Sequence, residues 1–241
     1  MKRFVVSGRD AEPNEITNGP DGNLWFTLDF GNAIGSLQPA TGTVRTYALP
    51  HLNSHPDGIA SGPDGNLWFT EDVGNRIGRI TTAGKISEFN VPTAGSQPAG
   101  ITGGPDKNLW FAESQGNKIG RITTTGTISE FRIKPGVDSE PTGIVWGPSS
   151  KLWFTEFSGN AISSITTTGT VTRYNVPTGS SHPRDRCEWD RLRVVHGVPR
   201  KHSRQSQAVG SSYRPQGLQH NVTFRRAPRC PPGRDGRSST K

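Results

Sequence analysis

Four tryptophans, Trp25, Trp68, Trp110 and Trp153, follow one another at intervals of 43, 42 and 43 residues, each inside the same phrase. The phrase reads Gly-Pro-Asp-Gly-Asn-Leu-Trp-Phe-Thr from Gly19 to Thr27 and again from Gly62 to Thr70. It recurs as Gly104-Pro-Asp-Lys-Asn-Leu-Trp-Phe-Ala112 and as Gly147-Pro-Ser-Ser-Lys-Leu-Trp-Phe-Thr155. Gly-Asn-x-Ile-Gly follows at Gly31, Gly74 and Gly116, with Gly159-Asn-Ala-Ile-Ser163 as its fourth version. Such a period is the length of one propeller blade. The fold class expected is all-β, a β-propeller with four blades present in residues 1–183.

Each unit reads as four short strands separated by turns. Pro-Asp-Gly-Asn at positions 63–66 combines a fixed φ, a side chain able to bond its own backbone and a residue free to take positive φ, which makes a tight turn. Leu67–Glu71, Arg76–Thr82 and Lys85–Val91 follow as β-rich runs, and Gly58-Ile-Ala-Ser61 after Pro56 supplies the remaining strand. Strands this short cannot bury a face alone, but four-stranded sheets packed around an axis can. The recurring tryptophan is then a packing plug between neighbouring sheets, and the Gly-Asn pairs are turn formers. An acidic residue ends the Trp-Phe run in three units, at Glu71, Glu113 and Glu156, whereas Leu28 stands there in the first. With Glu140, these are the candidate channel or rim carboxylates; as plain structure they are hydrogen-bonded rim groups.

The string Gly-Pro-Asp-Gly-Asn-Leu-Trp-Phe-Thr-Glu, then Gly-Asn-Arg-Ile-Gly-Arg-Ile-Thr and Ile-Ser-Glu-Phe-Asn-Val-Pro-Thr, resembles the virginiamycin B (streptogramin B) lyase family, over Phe4 to Pro183. The resemblance implies a seven-bladed propeller and a carbon–oxygen lyase. Its substrate would be a small cyclic depsipeptide of the streptogramin B class. The family reaction is a Mg²⁺-assisted elimination in which the metal acidifies the α-proton beside the lactone carbonyl and a histidine removes it. In the family those histidines stand in Pro-His-x-Ile openings. Here the openings read Pro13-Asn14-Glu15-Ile16, Pro56-Asp57-Gly58-Ile59, Pro98-Ala99-Gly100-Ile101 and Pro141-Thr142-Gly143-Ile144. Glu140 reproduces the family's acidic residue before proline, but Thr142 replaces the imidazole. No catalytic residue and no Mg²⁺ ligand set is therefore expected in this chain, and His51, His55 and His182 read as loop residues. Two other readings stay open: a non-catalytic propeller that binds a peptide or cell-wall ligand, and a lactone hydrolase of the gluconolactonase type.

The repeat stops inside a motif. After Ser181-His182-Pro183 the pattern calls for x-Gly-Ile-Ala and meets Arg184-Asp-Arg-Cys-Glu-Trp-Asp-Arg191. Residues up to Pro183 carry 14 Lys+Arg and 16 Asp+Glu, net −2; the 58 residues after it carry 14 and 4, net +10. Both cysteines, Cys187 and Cys230, also lie there. Back-translating Arg184 to Arg191 with permitted codons and reading one base later yields Gly-Ile-Ala-Ala-Ser-Gly-Thr-Gly, the missing strand and turn. Residues 184–241 are thus expected to be out-of-frame coding sequence and disordered, rather than a nucleic-acid arm or a membrane patch. At the other end, Phe4-Val5-Val6 matches Phe89-Asn90-Val91 in its spacing to the next opening, as the last strand of a blade without earlier strands. With no apolar run of signal-peptide or membrane-span length, the expected location is cytoplasmic, and the intact propeller is expected to be a monomer.

Overall fold

The computed structural model of the chain describes residues 11–133 and 138–177. The basic segment 184–241, its cysteines, His182 and the strand expected at Phe4-Val5-Val6 lie outside the described residues. What is described is four sheets of four antiparallel strands, each sheet in chain order and each ending before the next begins. Blade 1 comprises β1 (Pro13–Asn18), β2 (Leu24–Leu28), β3 (Ala33–Gln38) and β4 (Thr43–Ala48). Blade 2 comprises β5 (Pro56–Ser61), β6 (Leu67–Glu71), β7 (Arg76–Ile80) and β8 (Ile86–Asn90). Blade 3 runs through β9 (Pro98–Gly103), β10 (Leu109–Glu113), β11 (Lys118–Ile122) and β12 (Ile128–Arg132). Blade 4 runs through β13 (Pro141–Gly147), β14 (Lys151–Glu156), β15 (Ala161–Ile165) and β16 (Val171–Asn175). This is a β-propeller architecture, and no helix among the described residues is long and apolar enough to cross a membrane.

The Pro-Asp-x-Asn turn does more than reverse the chain. Asp64 accepts hydrogen bonds from the Asn66 backbone and from the Trp68 indole N–H at 3.0 Å, and Asp21–Trp25 and Asp106–Trp110 repeat that 3.0 Å bond. Each indole is thereby buried with its one polar atom satisfied. In blade 4 Ser149 takes the aspartate's place, and the Trp153 N–H donates to the Pro148 carbonyl at 3.3 Å instead.

Three apolar clusters hold the blades together, and each joins one blade's tryptophan to the next blade's inner face. Trp25 packs with Ile59, Leu67, Phe69 and Ile80; Trp68 with Ile101, Leu109, Phe111 and Ile122; Trp110 with Ile144, Leu152, Phe154 and Ile165. Trp25, Trp68 and Trp110 are fully buried, as plugs between sheets should be. Each also stacks on an aromatic ring of its own last strand, Tyr47, Phe89 or Phe131, at 5.3–5.7 Å. In blades 2 and 3 an arginine lies against that stack: Arg79 is 5.5 Å from the Trp68 ring and donates to the Thr124 carbonyl of blade 3. Arg121 does the same between Trp110 and the Thr167 carbonyl of blade 4. The arginines stitch one blade to the next across the end opposite the strand openings.

Candidate functional site: the channel mouth

The first strand of each blade is the inner one, and these strands approach one another so closely that side chains are excluded from part of the wall. A Cβ on Gly58 would lie 2.7 Å from the Ala99 carbonyl oxygen, and one on Gly100 would lie 2.7 Å from that of Thr142. Blade 1 departs from this rule with Glu15, whose carboxylate accepts a hydrogen bond from the Ile59 N–H of blade 2 at 3.3 Å. A cavity of about 570 Å³ opens along the wall, bordered by Glu15, Ile59, Ile101, Thr102, Ile144 and Trp153.

Local structure at the strand openings explains how a side chain is presented there. In all four blades the pairing of the inner strand slips between the opening proline and the isoleucine three residues on, a bulge at the channel entrance. Bulges re-aim side chains and leave a backbone group to be satisfied. The threonine of Trp-Phe-Thr does this: Thr27, Thr70 and Thr155 accept the N–H of Glu15, Gly58 and Gly143 at 2.8–3.0 Å. The residue before each proline is left-handed in all four blades, with φ of 40, 52, 50 and 44° at Glu12, His55, Gln97 and Glu140. Each carbonyl accepts a hydrogen bond from the residue just after the second strand: Asp29, Asp72, Ser114 and Phe157. Non-glycine residues seldom hold such φ values unless the surroundings demand it, and they gather at functional rims.

The residues displayed by these openings are Asn14, Asp57, Ala99 and Thr142. Asn14 donates to the Asp57 carboxylate across the first blade boundary at 2.5 Å, and the Thr142 and Thr155 hydroxyls meet at 2.8 Å. The side of the mouth formed by blades 1 and 2 is acidic. Burial, with Asp57 nearby, raises the pKa of Glu15; burial, with Asp29 nearby, raises that of Asp57; burial and then Asp57 raise that of Asp72. His55 pairs with Asp29 at 2.8 Å, and His51 pairs with Glu88 at the outer side of blade 2.

Glu71, Glu113 and Glu156 are buried at the ends of β6, β10 and β14. Glu71 pairs with Arg76 at 3.0 Å, and Glu156 with Arg173 at 3.0 Å. Glu113 has no such partner, because Lys118 opposite it turns to Glu130 at 2.6 Å. Burial first, then the Glu130 charge, lifts Glu113 to about 8. Glu140 is half-buried at the rim, bonded by Gln115 and Ser158. Sequence reasoning had no means of seeing the Asn14–Asp57 contact or the role of the threonine, although the repetition of Trp-Phe-Thr was itself a signal.

Residues 1–188 match the family model described as the Virginiamycin B lyase family. The chain belongs to the virginiamycin B lyase family. Its structure is similar to that of virginiamycin B lyase from Staphylococcus aureus, with a TM-score of 0.71 and 45% identity, over 73% of this chain and 60% of that one. A catalytically inactive histidine-to-alanine variant of the same lyase, solved with quinupristin, gives a TM-score of 0.71 at 44% identity, over 76% of this chain and 61% of that one. The virginiamycin B lyase of Bordetella pertussis is 45% identical over 51 residues, 21% of this chain and 17% of that protein. The chain thus spans about three fifths of the solved lyase structures.

Mg²⁺ prefers several hard oxygen donors in near-octahedral geometry. Among the described residues no group of three or more His, Cys, Asp or Glu side chains is placed to hold a metal. At the opening that carries Glu140, the carboxylate is already bonded by Gln115 and Ser158, and Thr142 offers a hydroxyl engaged with Thr155. The residues of that opening do not fit the ion.

Proposed function

We propose that this chain carries part of the wall and rim of a streptogramin B lyase site without the acid–base pair, and that the chain as written does not turn over substrate. The family reaction, by resemblance, opens a small cyclic depsipeptide lactone by Mg²⁺-dependent elimination. General-base removal of an α-proton needs a group within hydrogen-bond reach of it whose pKa suits the task. One observation carries the reading: the residues presented at the four openings are Asn14, Asp57, Ala99 and Thr142, none of them an imidazole. His55, the imidazole nearest those positions in sequence, is tied to Asp29.

The test incubates the purified full chain with quinupristin and Mg²⁺ and follows the product by mass spectrometry. We expect unaltered cyclic substrate. A linear product of unchanged mass would overturn the reading in favour of an active lyase, and one heavier by a water would favour a hydrolase. Resequencing the gene across the codons for His182 to Arg193 tests the frame, and a restored repeat with Pro-His-x-Ile openings is the expected result. Saturable quinupristin binding without turnover would favour the second reading, a non-catalytic binding propeller, for which the acidic mouth and adjoining cavity provide a place.

A further inference from the structure

At the end opposite the openings, blade 1 breaks a pattern that blades 2 and 3 keep. In each of those two blades a cross-strand row faces the next blade: Trp68, Arg79 and Ser87 in blade 2, and Trp110, Arg121 and Ser129 in blade 3. The guanidinium fills the space between the aromatic stack and the next blade. It lies 5.5–5.7 Å from both rings and donates to the Thr124 or Thr167 carbonyl. Arg121 also has Asp106, the turn aspartate of its own blade, at 3.8 Å. In blade 1 the row reads Trp25, Ser36 and Arg45, so serine and arginine have exchanged strands.

Everything that holds the guanidinium in the other two blades is nevertheless in place around Ser36. Trp25 stacks on Tyr47 at 5.4 Å, and Asp21 bonds the Trp25 indole as Asp106 bonds that of Trp110. Thr82 is the counterpart of Thr124 and Thr167, and its turn has the same seat: Gly84 packs on Tyr47 too closely for a Cβ, as Gly126 does on Phe89 and Gly169 on Phe131. No described residue donates to the Thr82 carbonyl or bonds the hydroxyl of Ser36, although Ser36 is only 5% exposed. A cavity of about 140 Å³ opens here, bordered by Asn23, Ser36, Arg45, Tyr47 and Thr82. It lies at an interior boundary, between two complete four-stranded sheets.

We propose that this cavity is a binding site for free arginine, whose guanidinium takes the place that Arg79 and Arg121 fill at the next two boundaries. The ligand is named by the molecule, since the same stack, carbonyl and aspartate twice hold an arginine side chain. A planar fork can lie against the rings and still serve the Thr82 carbonyl and Asp21, which the compact charge of an ammonium cannot do. Arg45 is exposed on the border, and its charge suits the α-carboxylate of an amino acid rather than a second cation. The site is remote from the channel mouth and does not rest on any reading of the chemistry there.

Equilibrium dialysis of radiolabelled L-arginine against the full chain tests this. A single saturable site is expected, with a dissociation constant on the order of 1 mM. Agmatine and methylguanidine should compete for it. Lysine, which has the charge without the fork, and citrulline, which has the planar shape without the charge, should not. Ser36→Arg gives blade 1 the residue that blades 2 and 3 already carry, so it should fold, which circular dichroism checks, and should weaken arginine binding at least about tenfold. Arg45→Ser should weaken the binding of L-arginine and not that of agmatine. Absence of saturable binding by the parent would overturn the proposal, as would equal competition by lysine or a Ser36→Arg variant that binds as well as the parent. Binding that appears only in Arg45→Ser would overturn it too, because Arg45 would then fill the cavity from within.

Discussion

Replacing Glu113 by glutamine should make the protein more stable at alkaline pH. In blade 2 one guanidinium serves two buried carboxylates: Arg76 Nε is 3.0 Å from Glu71 and 3.7 Å from Glu88, while a second nitrogen reaches Ser54. Blade 3 has a lysine at that register, and an ammonium is a compact charge without the planar fork. Lys118 binds Glu130 and Thr93, and both oxygens of Glu113 are buried without a hydrogen-bond partner. Burial, then Glu130, raises its pKa from 4.5 to about 8, against the smaller opposing effect of Lys118. Glu113 is thus a neutral acid in the folded protein at pH 7.

A folded-state pKa above the unfolded value means that the folded state binds the extra proton. The stability this confers is complete below pH 4.5 and drains away as pH rises towards 8. At about 1.4 kcal/mol per unit, the loss amounts to roughly 5 kcal/mol by pH 9, a large part of the 5–15 kcal/mol typical of a folded domain. Glutamine keeps the shape and cannot ionise. Urea unfolding followed by tryptophan fluorescence at pH 5, 7 and 9, at fixed protein concentration, should give nearly equal stabilities at pH 5 and a gain of ~3–5 kcal/mol for Glu113→Gln at pH 9. Glu71, raised to about 6 mainly by burial, keeps a shallower slope between pH 4.5 and 6 in both proteins. Identical pH profiles for parent and variant would refute the reasoning.

The other expectations are simpler. Gly100→Ala places a methyl group 2.7 Å from a backbone carbonyl of the next inner strand, which cannot swing aside, and should cost ~1–3 kcal/mol or more in the same urea assay. Asp64→Ala leaves a buried indole N–H unpaired and should cost ~1–3 kcal/mol. Burial raises the Asp64 pKa, but hydrogen bonds from Asn66 and Trp68 outweigh it and set the net value below 3.8; the parent should therefore lose this stability as pH falls below about 4, a loss absent in the variant. Arg79→Met keeps the apolar stem but removes the guanidinium from the Trp68–Phe89 stack and from the Thr124 carbonyl, and should lower stability by ~1–2 kcal/mol.

What could be read from the sequence and what could not follow from one physical distinction, between positions the repeat must keep and positions it is free to vary. Tryptophan plugs, turn aspartates and Gly-Asn pairs recur because every blade faces the same packing problem, so period and phrase alone reveal four blades, and Leu67–Glu71 is a strand with those bounds. The second residue of each opening packs against nothing that repeats. The bulge, with its threonine in blades 1, 2 and 4, holds the backbone in place whatever side chain stands there, so Asn14, Asp57, Ala99 and Thr142 occupy one structural position with four chemistries. Periodicity therefore reveals the scaffold and is silent on the site, which is why resemblance was needed to say what an imidazole there would do. The buried glutamates lie between these extremes. Glu71 and Glu113 look identical in sequence, yet an arginine at one register and a lysine at the other leave the first ion-paired and the second a buried acid. That difference rests on the reach of one cation towards two carboxylates, a matter of three-dimensional geometry that no spacing along the chain contains.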